Sequence, residues 1–167
     1  ENKLIAVLVI VTVVLLIFLY KQQTKSNVLK DGNLNVGNAI QKPIGKPSYI
    51  PPAGKEEEYL FSINNESPEE DKRNHFEYAV SMSEEAKYLD VTECKATPLV
   101  LRTKNDEMID IKNNGNTDIT MLVNPEHIYT IKAKKTTSIK AAFGNGAGLY
   151  GYSCNGKASG LIFAEQQ

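Results

Sequence analysis

Two cysteines and two histidines are the residues of this chain best suited to chemistry. Cys94 and Cys154 can form a disulfide, stay as buried thiols or supply a nucleophile, and His75 and His127 can act as bases or as metal ligands. A nucleophile pair of Cys154 and His127 lacks any identifiable oxyanion donor or orienting residue. The shortage of Cys and His excludes most metal sites and most acid–base catalytic sites. We therefore expect that the chain is not an enzyme and binds no cofactor.

The two cysteines are candidates for a disulfide. Cys94 ends an early predicted strand and Cys154 ends a late one, and such positions adjoin at one rim in many Greek-key sandwiches. The alternative is two buried thiols that act as small hydrophobic residues. Disulfides persist in oxidising compartments, so whether the cysteines are bonded or free depends on the compartment in which the domain resides.

Other polar features predict exposed surface. His75 is expected on the solvated side of a helix, and the acidic run Glu56–Glu58 is typical of a solvated face. Asn65-Glu66-Ser67 matches a glycosylation acceptor, although Pro68 follows it directly. The segment 144–148 is rich in glycine but lacks the Lys-Ser/Thr of a phosphate loop, so it is interpreted as a turn.

The charge balance excludes some partners. The chain of 167 residues carries 19 basic and 20 acidic residues, for a net charge of −1. This balance gives no electrostatic footprint for nucleic acid, and no small-molecule site is evident.

A period of two residues dominates the chain from Tyr88 onward and predicts β-strands separated by Asn-, Gly- and Pro-containing turns. The predicted strands are 88–94, 99–103, 108–112, 119–123, 127–131, 137–143, 149–154 and 161–164. About eight strands at this spacing imply a mainly β fold, a single β-sandwich or Greek-key domain over 56–167. A further short strand is predicted at 59–63, and Ser67-Pro68 followed by acids predicts one short helix ending near Ser83.

The last third of the chain resembles the C-terminal half of a cupredoxin. A turn bearing His127 is followed by the segment 148–154, in which Tyr150, Tyr152 and Cys154 alternate, and by a final strand that opens with Gly160. Copper cupredoxins need a second His shortly after the Cys, usually with a Met. No His or Met follows Cys154, so the resemblance implies the fold without the metal.

The N-terminal 24 residues contain a predicted transmembrane helix. Residues 4–20 form an uncharged run between Lys3 and Lys21, without Gly or Pro. As a helix it spans about 26 Å, close to the hydrocarbon thickness, so the chain is expected to be a single-pass membrane protein in contact with the lipid bilayer. The residues representing this anchor are Leu4, Val9, Val13, Leu16, Phe18 and Tyr20.

The orientation of the anchor follows from the flanking charges. Lys21, Lys25 and Lys30 follow the run, and only Lys3 and the terminal amine precede it. The positive-inside rule therefore favours a cytoplasmic domain, whereas a basic leader removed before Glu1 would reverse this orientation.

The segment 25–55 is predicted to be an extended linker. It is rich in Pro, Asn and Gly, and its isolated aliphatic residues cannot form a core of their own. It either spaces the domain from the bilayer or becomes ordered along a partner protein. The residues expected to dock in that case are Leu34, Val36, Ile40 and Ile44.

An anchor, an aliphatic-rich linker and a β-sandwich without a site predict a structural or scaffolding subunit of a larger assembly. Such an assembly could be a virus shell, with this chain as a minor capsid protein of the virion next to its membrane, or an envelope complex. The first alternative is a membrane-tethered cupredoxin-like electron-transfer protein. The second is a pilin-like filament subunit, for which Glu1-Asn2-Lys3 is unusually polar.

The uncharged run at 4–20 generates a direct prediction. The full-length protein should stay with membranes when they are washed in alkaline carbonate and should float with lipid vesicles, because the run matches the bilayer core. A chain that lacks residues 1–24 should be released by the same wash. Release of the full-length protein into the carbonate supernatant would contradict the anchor.

Overall fold

The computed structural model describes residues 46–124, 127–144 and 146–166. The predicted anchor at 4–20 and the predicted docking residues Leu34, Val36, Ile40 and Ile44 lie outside the described residues. Within these ranges, no helix combines the length and apolar character that crossing a membrane requires.

The described chain forms two helices and ten strands. The helices are α1 (Glu56–Leu60) and α2 (Glu69–Ser81). The strands are β1 (Glu84–Glu85), β2 (Tyr88–Thr92), β3 (Lys95–Thr97), β4 (Val100–Lys104), β5 (Met108–Asn113), β6 (Ile119–Val123), β7 (His127–Ile131), β8 (Thr136–Lys140), β9 (Gly148–Cys154) and β10 (Lys157–Glu165).

The strands form two sheets, which confirms the predicted mainly β sandwich. In the described residues one sheet has the order β1-β4-β10-β9-β6-β7 and the other the order β3-β2-β5-β8. Most pairs are antiparallel, but β10 runs parallel to β4, β1 runs parallel to β4, and β2 runs parallel to β5. The longest strand, β10, pairs with both β4 and β9, so it joins these parts of the larger sheet.

Alternating burial along the strands creates the core between the sheets. In β6, for example, Ile119, Met121 and Val123 are buried, whereas Thr120 is exposed. The same alternation in β2 and β5 points Leu89, Val91, Ile109 and Ile111 inward. A sheet whose strands alternate in this way has one apolar face that must be buried. Stacking the apolar faces of the two sheets buries both of them.

A second apolar cluster lies under the helices, on the other face of the larger sheet. Leu60 of α1 and Phe76 and Ala79 of α2 pack with Leu149 and Leu161 of β9 and β10. This explains why β9 and β10 are buried on both sides, so that almost every residue of β9 is inaccessible to solvent.

The predicted strand at 59–63 is wrong, because residues 56–60 form the helix α1. Three glutamates lie in its first turn, where they favour the helix N-terminus, and Leu60 is its one fully buried residue. All eight predicted strands of the 88–164 region are present: 119–123 and 127–131 have the predicted bounds, and the other six have shifted ends. The two short strands β1 and β3 were not predicted, because two or three residues are too few to establish a period.

The prediction that His75 is solvated is also wrong. Its side chain is fully buried between the two helices, where Nε2 lies 2.8 Å from the Leu60 carbonyl oxygen. A carbonyl can only accept, so Nε2 carries the proton in the neutral ring. Nδ1 is buried without a hydrogen-bond partner in the described structure. His75 lies one residue before Phe76 and four before Ala79, which places it on the buried stripe of α2.

The end of the predicted linker packs on the domain. The Ser48 hydroxyl lies 2.7 Å from Asn74 Oδ1 and 2.8 Å from Glu77 Oε2, and the Ser48 amide donates to the same Glu77 oxygen. The Tyr49 ring lies 4.9 Å from that of Tyr59, and Pro51 is buried. Ser48, Tyr49 and Pro51, which belong to the predicted linker, are therefore part of the packed domain.

The burial of His75 predicts a loss of stability in acid. Desolvation lowers the pKa of His75 below its usual value, and the Leu60 carbonyl offsets this only partly. As the pH falls below about 6.5, the unfolded chain binds a proton that the folded chain resists, at a cost of up to about 1.4 kcal/mol per pH unit. This stability is complete above the usual histidine pKa and is lost as the pH falls towards the folded value.

Chemical denaturation between pH 7.5 and 5 checks this prediction. The variant H75Q keeps an amide donor for Leu60 but cannot titrate, so its free energy of unfolding should change less over this range than that of the wild type. H127Q is the matched control and should keep the wild-type difference. Identical pH profiles for H75Q and the wild type would contradict the assignment.

Candidate functional site

Cys94 and Cys154 form a disulfide at one rim of the sandwich. Cys94 lies in the turn from β2 to β3, where Glu93 and Cys94 have φ of 51° and 63°. Cys154 ends β9 just before the turn Asn155-Gly156, where φ is 50° and 80°. Two-residue hairpin turns of this kind need positive φ at both positions, which Asn-Gly adopts readily. Glu93 and Cys94 adopt it less readily, and the disulfide holds Cys94 in place.

Hydrogen bonds to β6 complete this rim. The Asn155 amide donates to the Thr120 carbonyl oxygen at 2.8 Å, and the Thr120 amide donates to Asn155 Oδ1 at 2.8 Å. The disulfide then joins β9 of the larger sheet to the β2–β3 turn of the smaller one, across 60 positions of sequence. Closing a loop of that length restricts the unfolded chain and contributes about 4 kcal/mol in the chain-entropy model.

His127 lies away from the disulfide. It begins β7 opposite Val123, whereas Cys154 lies opposite Met121, and β6 separates the two strands. Two strand spacings and two residues along the strand separate the Cα atoms of His127 and Cys154 by roughly 12 Å. The structure therefore does not bring these two candidates together, and the Cys154 sulfur is already bonded.

The surroundings of His127 are aromatic. Its ring stacks on Tyr129 with 6.5 Å between centroids and meets the edge of Phe143 at 5.9 Å. Phe143 in turn contacts Tyr150 at 5.2 Å, and the Tyr150 hydroxyl donates to the Gly146 carbonyl oxygen at 2.6 Å. These contacts close the end of the sandwich opposite the disulfide and explain the position of His127 by packing.

The residues present do not fit copper. A blue-copper centre needs a thiolate sulfur together with two imidazoles. Here the Cys154 sulfur is covalently bonded to Cys94, His127 lies on a strand two positions away in the sheet, and His75 is enclosed between the helices. Across the described ranges, no group of three or more His, Cys, Asp or Glu side chains is arranged to hold a metal ion.

One buried polar group in the core could not be recognised from the sequence. The Tyr152 hydroxyl is buried with no hydrogen-bond partner in the described structure, and burial raises the pKa of Tyr152. The ring reaches to Gly160 on the neighbouring strand, where an added Cβ would lie 2.8 Å from the Leu99 carbonyl oxygen and still closer to the Tyr152 hydroxyl. Gly160 is therefore required by close packing, and Tyr152 has a structural place in the core.

Comparison with known proteins gives only partial likenesses. No protein-family model matches the chain, and no curated protein matches it. Among solved structures, a purple cupredoxin from Nitrosopumilus maritimus matches 48% of this chain and 100% of its own length, with a TM-score of 0.38 and 11% identity. An oxidized amicyanin mutant matches 48% of this chain and 82% of its own, with a TM-score of 0.39 and 19% identity.

A third likeness is to reduced auracyanin from Roseiflexus castenholzii, which matches 48% of this chain and 98% of its own length at a TM-score of 0.34 and 9% identity. Likenesses of this size do not assign the chain to a family. The site must therefore be interpreted from its own residues.

The disulfide predicts the response to copper. The oxidised protein titrated with Cu²⁺ should show no intense thiolate-to-copper absorption band, because no thiolate is free. The variant C94S frees the Cys154 sulfur and should still show no such band, because no imidazole lies next to it. Visible absorption and metal analysis after dialysis check both proteins. A tightly held, stoichiometric copper with that band in either protein would contradict the prediction.

Proposed function

We propose that the chain is a non-enzymatic structural subunit, tied to a membrane by residues 4–20, whose β-sandwich takes part in a larger assembly. The observation that carries the proposal is the Cys94–Cys154 disulfide. Cys154 is the cysteine best placed to bind a metal or to act as a nucleophile, and in the disulfide it instead joins the two sheets. Covalent bracing of this kind suits a domain that bears load or holds a fixed shape.

The disulfide also favours an oxidising compartment for the domain. Such bonds persist outside the cytoplasm and are rare where thiols are kept reduced. This consideration opposes the cytoplasmic orientation favoured by Lys21, Lys25 and Lys30. Because the covalent bond depends directly on its environment, whereas the lysine count depends on what precedes Glu1, we place the domain on the oxidising side.

The packing of the linker end supports a role in attachment. Ser48 contacts α2 and Tyr49 contacts Tyr59, so that this end of the linker is held on the domain. Ile50, which belongs to the same aliphatic series as Ile40 and Ile44, is 68% exposed. A partner that runs along the linker could therefore continue onto the surface of the domain.

The main alternative is a membrane-tethered electron-transfer protein. The partial likeness to cupredoxins is one of fold. Electron transfer through copper would need a thiolate with imidazoles beside it, whereas the Cys154 sulfur is in a disulfide and His127 lies on β7, away from it. The structural proposal includes placement in a virus capsid or in an envelope complex. A pilin-like filament subunit is the further alternative.

The linker tests the structural proposal. Replacing Leu34, Val36, Ile40 and Ile44 together by Ser should release the protein from its partners, because docking through many small apolar contacts loses most of its affinity when four are removed. The apparent mass of the tagged protein after extraction from membranes in a mild detergent measures this release. It should fall from that of a complex to that of the free chain.

The matched control changes polar positions of the same segment. The variant N33S/N35S/N38S/Q41S should stay in the complex, since it alters length and flexibility little and removes no apolar side chain. Both variants should remain membrane-bound and give wild-type thermal unfolding of the domain. Incorporation of the apolar variant at wild-type levels would show that the linker is only a spacer.

A further inference from the structure

Four turns of the sandwich meet at the rim that carries the disulfide. The disulfide joins the β2–β3 turn to the end of β9, which leads directly into the β9–β10 turn. In the loop from β5 to β6, the Asn114 amide donates to the Val91 carbonyl oxygen of β2 at 2.8 Å. In the turn from β7 to β8, Lys134 Nζ donates to the Asn114 carbonyl oxygen at 2.6 Å. These turns form one surface, called the lysine rim, made of residues 92–95, 112–118, 132–135 and 155–157.

The lysine rim carries an excess of positive charge. Its six lysines are all exposed: Lys95, Lys112, Lys132, Lys134, Lys135 and Lys157. Lys132 pairs with Asp118 at 2.7 Å, and Lys112 Nζ lies 3.8 Å from the Asp90 carboxylate. The rim contains one more carboxylate, that of Glu93. Six lysines therefore face three carboxylates, which leaves an excess of three positive charges.

Three lysines of the rim are free of ion pairs. Within the described residues, no carboxylate lies within ion-pair distance of Lys95, Lys135 or Lys157, which come from three different turns. The uncharged residues between the lysines are mostly small or polar, and the large hydrophobic side chains that are exposed in the described structure all lie outside the rim. Binding through this surface must therefore be dominated by charge.

The rest of the domain has the opposite charge. The segment 56–85, which contains α1, α2 and β1, carries ten acidic residues and two basic ones. Its helices pack on the outer face of the larger sheet, through the cluster that includes Leu60 and Phe76. An anionic surface would therefore attract the lysine rim and repel the helices. This asymmetry gives the domain a preferred orientation on such a surface.

We propose that the lysine rim docks on the anionic headgroups of the lipid bilayer. The inference deepens the proposed function, on which it rests through the anchor at residues 4–20, by naming the surface that the domain contacts. Protein interfaces are depleted in lysine and use aromatic side chains as anchors, and the rim has the reverse character. Clustered lysines without apolar side chains suit attraction to anionic lipids without insertion into the bilayer.

The length of the chain before the domain brings this lipid surface within reach. The positions 21–45 lie between the predicted anchor and Lys46, and 25 residues span no more than about 90 Å even when fully extended. The domain is thus confined near the bilayer, and its effective concentration at the headgroups is high. A small excess of charge then suffices for docking, although it would bind a free domain only weakly.

Lysine acylation of the full-length, oxidised protein in lipid vesicles tests the docking. The vesicles contain either phosphatidylcholine alone or phosphatidylcholine with about 30 mol % phosphatidylglycerol, and peptide mass spectrometry gives the reaction rate at each lysine. Lys95, Lys135 and Lys157 should react at least about threefold more slowly in the anionic vesicles, because the headgroups cover them. Raising the salt from about 0.05 M to about 0.5 M should restore their rates, since the Debye length falls about threefold.

Lysines at the opposite rim provide the matched control. Lys140 is the strand partner of Met108 at the start of β5, whereas the lysine rim lies at the end of β5, and Lys104 ends β4 shortly before Met108. The variant K95Q/K135Q/K157Q should react equally in both vesicles at its remaining rim lysines. The variant K87Q/K104Q/K140Q removes the same charge and should keep the protection. Both should unfold thermally as the wild type does, because all six positions are exposed.

Several outcomes would overturn the docking. It is wrong if the rim lysines react equally in the two kinds of vesicle at low salt, or if K95Q/K135Q/K157Q stays protected. It is also wrong if protection arises in phosphatidylcholine alone and grows with protein density, since the rim would then contact another protein. Retention of the chain by vesicles without protection of the rim overturns the docking alone. A chain that neither kind of vesicle retains would overturn the anchor of the proposed function, and the docking with it.

Discussion

The covalent link between the two sheets is the constraint on which the rest of the molecule depends. The Cys94–Cys154 bond fixes the β2–β3 turn of the smaller sheet against β9 of the larger one, next to the hydrogen bonds of Asn155 to β6. It sets the separation of the sheets at this rim and supports the positive φ of Cys94. It also removes the Cys154 sulfur from any chemistry, so the shape of the domain and its lack of a reactive centre there have the same cause.

The two faces of the larger sheet have different roles. The inner face packs on the smaller sheet, and part of the outer face is covered by α1 and α2 through Leu60, Phe76 and Ala79. Towards β7, the part of the chain that the structure describes leaves Ile128 and Thr130 exposed on the outer face. The helices therefore cover one part of the outer face of the larger sheet, and Ser48 is held on α2 above this part.

Sequence reasoning recovered the strands well, because alternation of apolar and polar residues is a local signal that most of the eight predicted runs contain. The run 161–164 is an exception, since its four residues are all apolar. It missed α1, where five residues offer too little periodicity, and it placed His75 in solvent because its neighbours Arg73 and Asn74 are polar. The spacing of His75 and Ala79 did carry the signal of a buried stripe. The pairing of the cysteines stayed open in the sequence, since it depends on the register of strands 60 positions apart.

The attachment of Ser48 to α2 has a mechanical consequence. A pull transmitted along the chain that precedes Lys46 meets the Ser48 contacts with Asn74 and Glu77 before it reaches α1. The load is therefore shared with the middle of α2, which rests on Phe76 and Ala79 against the larger sheet, and the short helix α1 is shielded from peeling.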